Sequence, residues 1–211
     1  IAEYYSGSEG AGMTMIDSKS WLTHKGSVGP ALVGEIRIVS DEGELLPKGE
    51  IGTVYFANGS EFEYFNEPEK TASAHNTQGW STLGDVGYLD DDGFLYLTDR
   101  KNFMIISGGV NIYPQEIENL LITHPQIADV AVFGIPNEEF GEEVEAVVQL
   151  LNPKEASPEL AESLREWTRE RLSSIKTPRS IDFTEELPRM DNGKLYKKRL
   201  IEQYKKTSTC A

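Results

Sequence analysis

Cysteine is nearly missing: the chain of 211 residues holds one, Cys210, beside its end. No internal disulfide is possible, so folding rests on buried apolar surface, and a reducing, cytoplasmic setting is expected. Basic charge is scarce as well, with 20 Lys and Arg against 35 Asp and Glu and a net charge of −15. That balance argues against a nucleic-acid surface, which needs a basic stripe. No apolar run approaches the roughly 20 residues that span a bilayer. The opening Ile1-Ala2-Glu3-Tyr4-Tyr5 lacks an initiator Met, and it lacks the basic start and apolar core of a signal peptide. The chain is therefore expected to begin downstream of the start of its gene. The Gly-rich segment near the start is neither a GxGxxG fingerprint nor a Walker loop, because no Lys follows its glycines.

What is present suits a globular protein of one large or two ordinary domains: 38% hydrophobic residues, 9% aromatic, and no repeat or low-complexity stretch. The charge is unevenly placed. From Arg165 onward there are 12 basic and 7 acidic residues, which leaves 8 basic and 28 acidic before it. The last quarter is either a solvated basic helix or a segment that brings positive charge to an anionic substrate. Strand, turn and strand are expected over 34–57, with Asp41-Glu42-Gly43 turning. A second hairpin is expected around Asp90-Asp91-Asp92-Gly93. That acidic cluster lacks the spaced ligands of a calcium loop, so a turn is the reading. Asn58-Gly59-Ser60 matches a glycosylation sequon and is read as a turn too.

After Arg100 the texture changes. Pro114 opens a helix to Leu121, strands follow over 128–133 and 144–150, and Ser157-Pro158 caps a helix ending near Leu172. A strand at 180–183 and a basic helix from about Leu195 complete a compact α+β domain.

Four segments carry chemistry. In Tyr5-Ser6-Gly7-Ser8-Glu9-Gly10 small residues admit a ligand, a hydroxyl can meet a phosphate, and a carboxylate can hold Mg²⁺. The aromatic before them can stack on a base. Leu83-Gly84-Asp85 and Asp99-Arg100 offer groups for ribose hydroxyls, with Asp85 expected just after a strand. Ser107-Gly108-Gly109-Val110 reads as a strand-to-helix loop that a slender ligand can approach. Asp191-Asn192-Gly193 reads as a tight turn holding Lys194 at its tip, where an ammonium could meet phosphate and carboxylate together. Each segment taken alone is also what an ordinary surface turn looks like.

In order and spacing these segments resemble the adenylate-forming superfamily, which includes acyl-CoA synthetases, peptide-synthetase adenylation domains and firefly-type luciferases. Tyr5-Ser6-Gly7-Ser8-Glu9 stands for the family's Tyr-Gly-x-Thr-Glu, Leu83-Gly84-Asp85 for Thr-Gly-Asp, and Asp99-Arg100 for the Gly-Arg before the hinge. Gly108 through Glu118 matches Gly-Gly-x-Asn-Ile-x-Pro-x-Glu-Ile-Glu, and Gly193-Lys194 the terminal Gly-Lys. The resemblance implies an α+β fold: residues 1–99 as the strand-rich end of the large AMP-binding domain, 100–211 as the mobile C-terminal domain, and a hinge near 100–103. It implies that Tyr5 stacks on adenine, Ser8 contacts a phosphate, Glu9 binds Mg²⁺, and Asp85 and Arg100 hold the ribose. Lys194 would steady the carboxylate and α-phosphate while the acyl-adenylate forms. Rotation about the hinge would then bring the Gly108-Gly109 loop to the pantetheine of coenzyme A. Phe140 would lie near that coenzyme, with Lys176 and Arg179 for its phosphates.

The sequence departs from the family at three places. Ser6 replaces a Gly that has moved to position 7, Asn102 occupies the hinge, and the family's upstream phosphate loop is absent. Hence the expectation is a fragment of an AMP-forming acyl-CoA ligase for a fatty or other lipophilic acid, inactive by itself. Gly10, Ala11 and Gly12 hint at room beside the adenylate. An adenylation domain that loads a carrier protein is the alternative enzyme; a non-catalytic nucleotide- or coenzyme-A-binding module is the alternative outside enzymes.

Overall fold

A computed structural model describes residues 1–191 and 193–208, with side chains of the last helix through Tyr204. Asn192, in the expected turn before Lys194, and Cys210 lie outside the described residues. The chain divides into two compact units, residues 1–102 and 103–211. The α+β class expected from the sequence is what is seen, mostly antiparallel sheets with few helices.

Two sheets make up the first unit. Strands β1 (Ala2–Ser6), β2 (Met13–Asp17) and β3 (Ala31–Val33) form one. Strands β4 (Glu35–Val39), β5 (Gly52–Ala57), β6 (Ser81–Leu89) and β7 (Leu95–Arg100) form the other, as an antiparallel meander. Helices α1 (Ser18–Thr23) and α2 (Pro68–Ser73) are short connectors. The alternation read in Glu35–Val39 places Ile36 and Ile38 inward, and they pack with Val54, Phe56, Leu95 and Ala11. Here one expectation fails. Ala11 is fully buried, and a Cβ on Gly12 would strike the Phe56 ring at 2.1 Å. The small residues at 11 and 12 let β-sheet side chains close over them, and open no room for a ligand. The acidic cluster is the β6–β7 turn, with the Asp90 carboxylate accepting from the amides of Asp92 and Phe94. No metal-holding cluster of three or more His, Cys, Asp and Glu occurs among the described residues.

In the second unit, strands β8 (Ile105–Ser107), β9 (Val110–Ile112), β10 (Ile127–Asn137), β11 (Gly141–Leu150) and β12 (Ser180–Thr184) form one sheet. β10 takes one edge of β11. β8 meets the other edge at Gly141, and β12 runs parallel along it from Glu145. Period-two alternation sends Val144, Ala146 and Val148 to one face, under Ile117 and Leu121 of α3 (Pro114–Leu121) and Leu164 of α4 (Pro158–Arg169). Ala131, Phe133 and Val147 face the other way, against Leu187 and against Leu200 of α5 (Lys197–Ser208). The Ser157 hydroxyl caps α4 by accepting from the Leu160 amide, as its position before Pro158 requires. The strands expected over 128–133 and 144–150 are longer than the apolar runs, because backbone pairing continues to Asn137 and Gly141. No helix among the described residues is long and apolar enough to cross a membrane.

Candidate functional site

In the first unit the residues expected at a nucleotide converge through strand register. Asp85 lies inside β6 rather than after a strand, and it is the antiparallel partner of Arg100 at the end of β7. Cross-strand partners have adjacent side chains, and the Arg100 Nε is 3.2 Å from Asp85 Oδ1. The other carboxylate oxygen accepts a 2.6 Å hydrogen bond from the Tyr5 hydroxyl, which comes from β1. Burial, then the Asp85 charge, pushes the Tyr5 phenol above its ordinary range, so it stays a neutral donor. Its ring lies against Phe56, 6.2 Å between centroids. Tyr5, Asp85 and Arg100 thus form one connected group with the carboxylate at its centre.

Ser8 and Glu9 occupy the turn after β1, closed by the Gly10 amide donating to the Gly7 carbonyl. The glycine at position 7 has a local reason: a Cβ there would sit 2.6 Å from the Glu9 carboxylate and 2.8 Å from Leu83. Glu9 is held by its own amide, by the Tyr64 hydroxyl at 2.9 Å and by the Ser8 hydroxyl, and these donors keep its carboxyl below the usual range. Tyr64 was not legible as a site residue, because it lies 55 positions from Glu9 and reaches it only through the fold. Lys70 stands 3.8 Å over the Tyr64 ring and adds positive charge nearby. An ionised, hydrogen-bonded carboxylate beside a hydroxyl fits Mg²⁺, which takes one or two protein carboxylates and fills its shell with water and phosphate.

In the second unit the glycine pair is a hairpin turn rather than a strand-to-helix loop. Ser107 and Val110 pair across it, and Gly108 and Gly109 have φ of 56° and 78°. Positive φ at both central residues is the type I′ pattern, which glycine adopts without strain. The Gly108 amide donates to the Phe140 carbonyl at 2.8 Å, so the hairpin and the β10–β11 turn are tied together. Asn137 shapes that second turn by accepting from the Glu139 and Phe140 amides. The Arg179 guanidinium lies 5.4 Å from the Phe140 ring centroid. Gly108, Gly109, Phe140 and Arg179 are therefore one locus. Lys176 is not aimed at it: its ammonium sits 2.6 Å from the Glu116 carboxylate on α3. Lys194 is exposed, in a tight loop where the Met190 amide donates to the Lys194 carbonyl and Arg189 pairs with Asp129.

Residues 116–194 match the family described as AMP-binding enzyme C-terminal domain. The chain is 38% identical over 197 residues to a long-chain-fatty-acid–CoA ligase of Mycobacterium tuberculosis, covering 93% of this chain and 38% of that protein. It is 41% identical over 188 residues to a 2-succinylbenzoate–CoA ligase of Geobacillus kaustophilus, covering 88% of this chain and 37% of that one. The crystal structure of ATP-bound MatB from Rhodopseudomonas palustris superposes with a TM-score of 0.82 at 32% identity, over 97% of this chain and 41% of that one. The chain thus spans about two fifths of the length of the curated relatives it matches. The chain belongs to the adenylate-forming superfamily, and residues 116–194 are its AMP-binding enzyme C-terminal domain.

Proposed function

We propose that the protein carrying this chain is an AMP-forming acyl-CoA ligase acting on a fatty or other lipophilic acid, in the cytoplasm. The observation that carries the reading is the Asp85 carboxylate between Tyr5 and Arg100, with an ionised Glu9 in the same unit. A carboxylate with two oxygens and a neighbouring guanidinium suits the vicinal hydroxyls of a ribose, and an aromatic ring beside it suits adenine. The ATP-bound relative and the coenzyme-A ligases among the similar proteins support the same substrates. In the first step the acid's carboxylate oxygen attacks the α-phosphorus of ATP, and the bond to the β-phosphate oxygen breaks to release pyrophosphate. Tyr5, Asp85 and Arg100 hold the nucleoside, Ser8 donates to a phosphate oxygen, and Lys194 offsets charge on the carboxylate and α-phosphate. Mg²⁺ at Glu9 would neutralise phosphate charge. In the second step the thiol of coenzyme A attacks the acyl carbonyl, its proton passing to solvent, and AMP leaves with the electron pair of the broken acyl–oxygen bond. The Gly108–Gly109 hairpin offers the side-chain-free backbone along which a pantetheine arm can pass.

The test is AMP release by the full-length protein over a panel of carboxylates, with coenzyme A present or omitted. Release that requires coenzyme A is expected. Pyrophosphate exchange indifferent to coenzyme A would instead indicate loading of a carrier protein.

A further inference from the structure

Lys194 leaves the chain from a loop whose base and tip are held separately. At the base, Leu187, 1% exposed, and Leu195 belong to the apolar cluster around Phe133. Arg189 and Leu195 pair as antiparallel partners, and the Tyr196 amide donates to the Pro188 carbonyl at 2.8 Å. Toward the tip the Met190 amide donates to the Lys194 carbonyl at 2.9 Å, which fixes the peptide plane after the Lys194 Cα. The plane before it is the Gly193–Lys194 peptide, and a side chain holds that one: Arg189 Nη1 donates to the Gly193 carbonyl at 2.7 Å. The Nη2 of the same guanidinium is bonded to Asp129 of β10. Asp129 is itself fixed, its second carboxylate oxygen accepting from the Val130 amide at 3.0 Å. It stands where the register of β10 against β11 shifts, and such irregularities re-aim a side chain.

We infer that Arg189 is a positioning residue for Lys194: by joining the Gly193 carbonyl to Asp129 it sets the direction in which the Lys194 side chain leaves the loop. This role rests on the ligase reading for what Lys194 does. Two peptide planes fixed on either side of one Cα fix its Cα–Cβ bond, and with it the start of a long side chain. The plane before Lys194 is the one that needs an outside hold. Gly193 has φ of 82°, and among the described residues nothing lies within 4 Å of where its Cβ would sit. Packing therefore leaves that glycine its full conformational freedom. A guanidinium suits the task, because its planar fork bonds a carbonyl and a carboxylate at once in fixed geometry. Stability alone does not call for the pair. The Arg189 and Asp129 side chains are 45% and 23% exposed, and exposed ion pairs contribute little to folding. The base of the loop is already closed by Leu187 and by backbone bonds, so what the fork adds falls on the residue next to Lys194. For a group acting by charge on a reacting centre, a displacement of about 1 Å can cost about a hundredfold in rate.

Rapid-quench measurements on the full-length protein test this with Arg189→Met and Arg189→Lys, both expected to keep the urea midpoint because the pair is exposed. Arg189→Met is expected to slow adenylate formation about tenfold with the KM for ATP within about twofold, because the charge of Lys194 remains while its aim is lost. Thioester formation from supplied acyl-adenylate should stay within about twofold, and Arg189→Lys should recover part of the adenylation rate. In a Lys194→Ala background Arg189→Met should slow adenylation no further, since it acts through that lysine. An unchanged adenylation rate, equal loss in both half-reactions, or an additive loss in the Lys194→Ala background would overturn the proposal. Hydrogen exchange at the Met190 and Gly193 amides gives a readout independent of the ligase reading. Arg189→Met should speed it about tenfold while the amides of β10 and α5 keep their rates, and unchanged exchange would overturn the proposal as well. Faster exchange in a protein whose unaltered form releases no AMP with any acid would keep the clamp and sink the ligase reading.

Discussion

At the scale of single residues, the proposed site is concentrated where one side chain serves two neighbours. Asp85 accepts from Tyr5 and faces Arg100, so Asp85→Asn removes the charge that both are arranged around. In the full-length protein this change is expected to raise the KM for ATP about tenfold, the usual worth of a hydrogen bond to a charged group. An unchanged KM would show that the group is structural. In the proposed mechanism Lys194 acts by charge, so Lys194→Ala is expected to slow adenylate formation by about a hundredfold or more. Thioester formation from supplied acyl-adenylate should survive, since the proposed mechanism gives Lys194 no part in it. Rapid-quench measurement of both half-reactions separates the two, and parallel losses would contradict the assignment. Tyr5, Ser8, Glu9, Asp85, Arg100 and Lys194 were legible as residues because glycine, acid and base occur in a recognisable order. Tyr64 and Lys70 were not, since nothing local in 62–70 points at Glu9.

At the scale of elements, apolar runs gave the central strands and both amphipathic helices of the second unit. Short or polar strands were missed. β1 reads Ala-Glu-Tyr-Tyr-Ser with no clean alternation, and β8 and β9 are three residues each, recognisable only by their pairing across Gly108–Gly109. β11 also carries a residue that no pattern flags. Glu145 is 2% exposed, one of its carboxylate oxygens lacks a partner, and the other accepts from the Ser180 hydroxyl. Burial raises its carboxyl from the ordinary 4.5 to about 7, with Asp182 and Glu143 adding to the shift. The folded state then holds its proton more tightly than the unfolded chain, so stability falls as pH rises from about 4.5 to about 7. The full shift corresponds to roughly 3 kcal/mol. Glu145→Gln should raise the urea midpoint at pH 8 and leave it nearly unchanged at pH 4, and a uniform effect at both would contradict the account. A second buried carboxylate, by contrast, is paired. Lys197 and Glu118 are 2.7 Å apart at 7% and 9% side-chain exposure, joining α5 to α3, and Glu118 also accepts from the Val132 amide. Lys197→Met strands that carboxylate and should cost about 3–5 kcal/mol. Adding Glu118→Gln should recover part of the loss in a double-mutant cycle.

At the scale of the molecule, the chain has two compact units, the second with a hydrophobic cluster on each face of its sheet. The basic excess from Arg165 onward, 12 against 7, belongs entirely to the second unit. That is consistent with a unit whose proposed partners, a nucleotide phosphate and then a coenzyme phosphate, are anionic. It offers Lys194 and the Gly108–Gly109 hairpin for different steps, so the proposed reaction needs the two presented in turn. The backbone where that change would occur can be narrowed. Lys101 is bonded to Asp41 and Thr53, both in the first unit, while Phe103 lies 5.2 Å from the Lys197 ammonium, in the second. In the proposed mechanism Asn102, between them, is the residue that would absorb the rotation. Asn102→Pro would hold φ near about −65° and restrict Lys101 as well. In the full-length protein one half-reaction is expected to remain within about threefold of normal while the other falls about tenfold or more, as for a conformational step that gates catalysis. The half-reaction that survives is the one whose arrangement of residue 102 accepts the proline φ. Equal loss of both half-reactions, with the urea midpoint unchanged, would move the hinge away from residue 102.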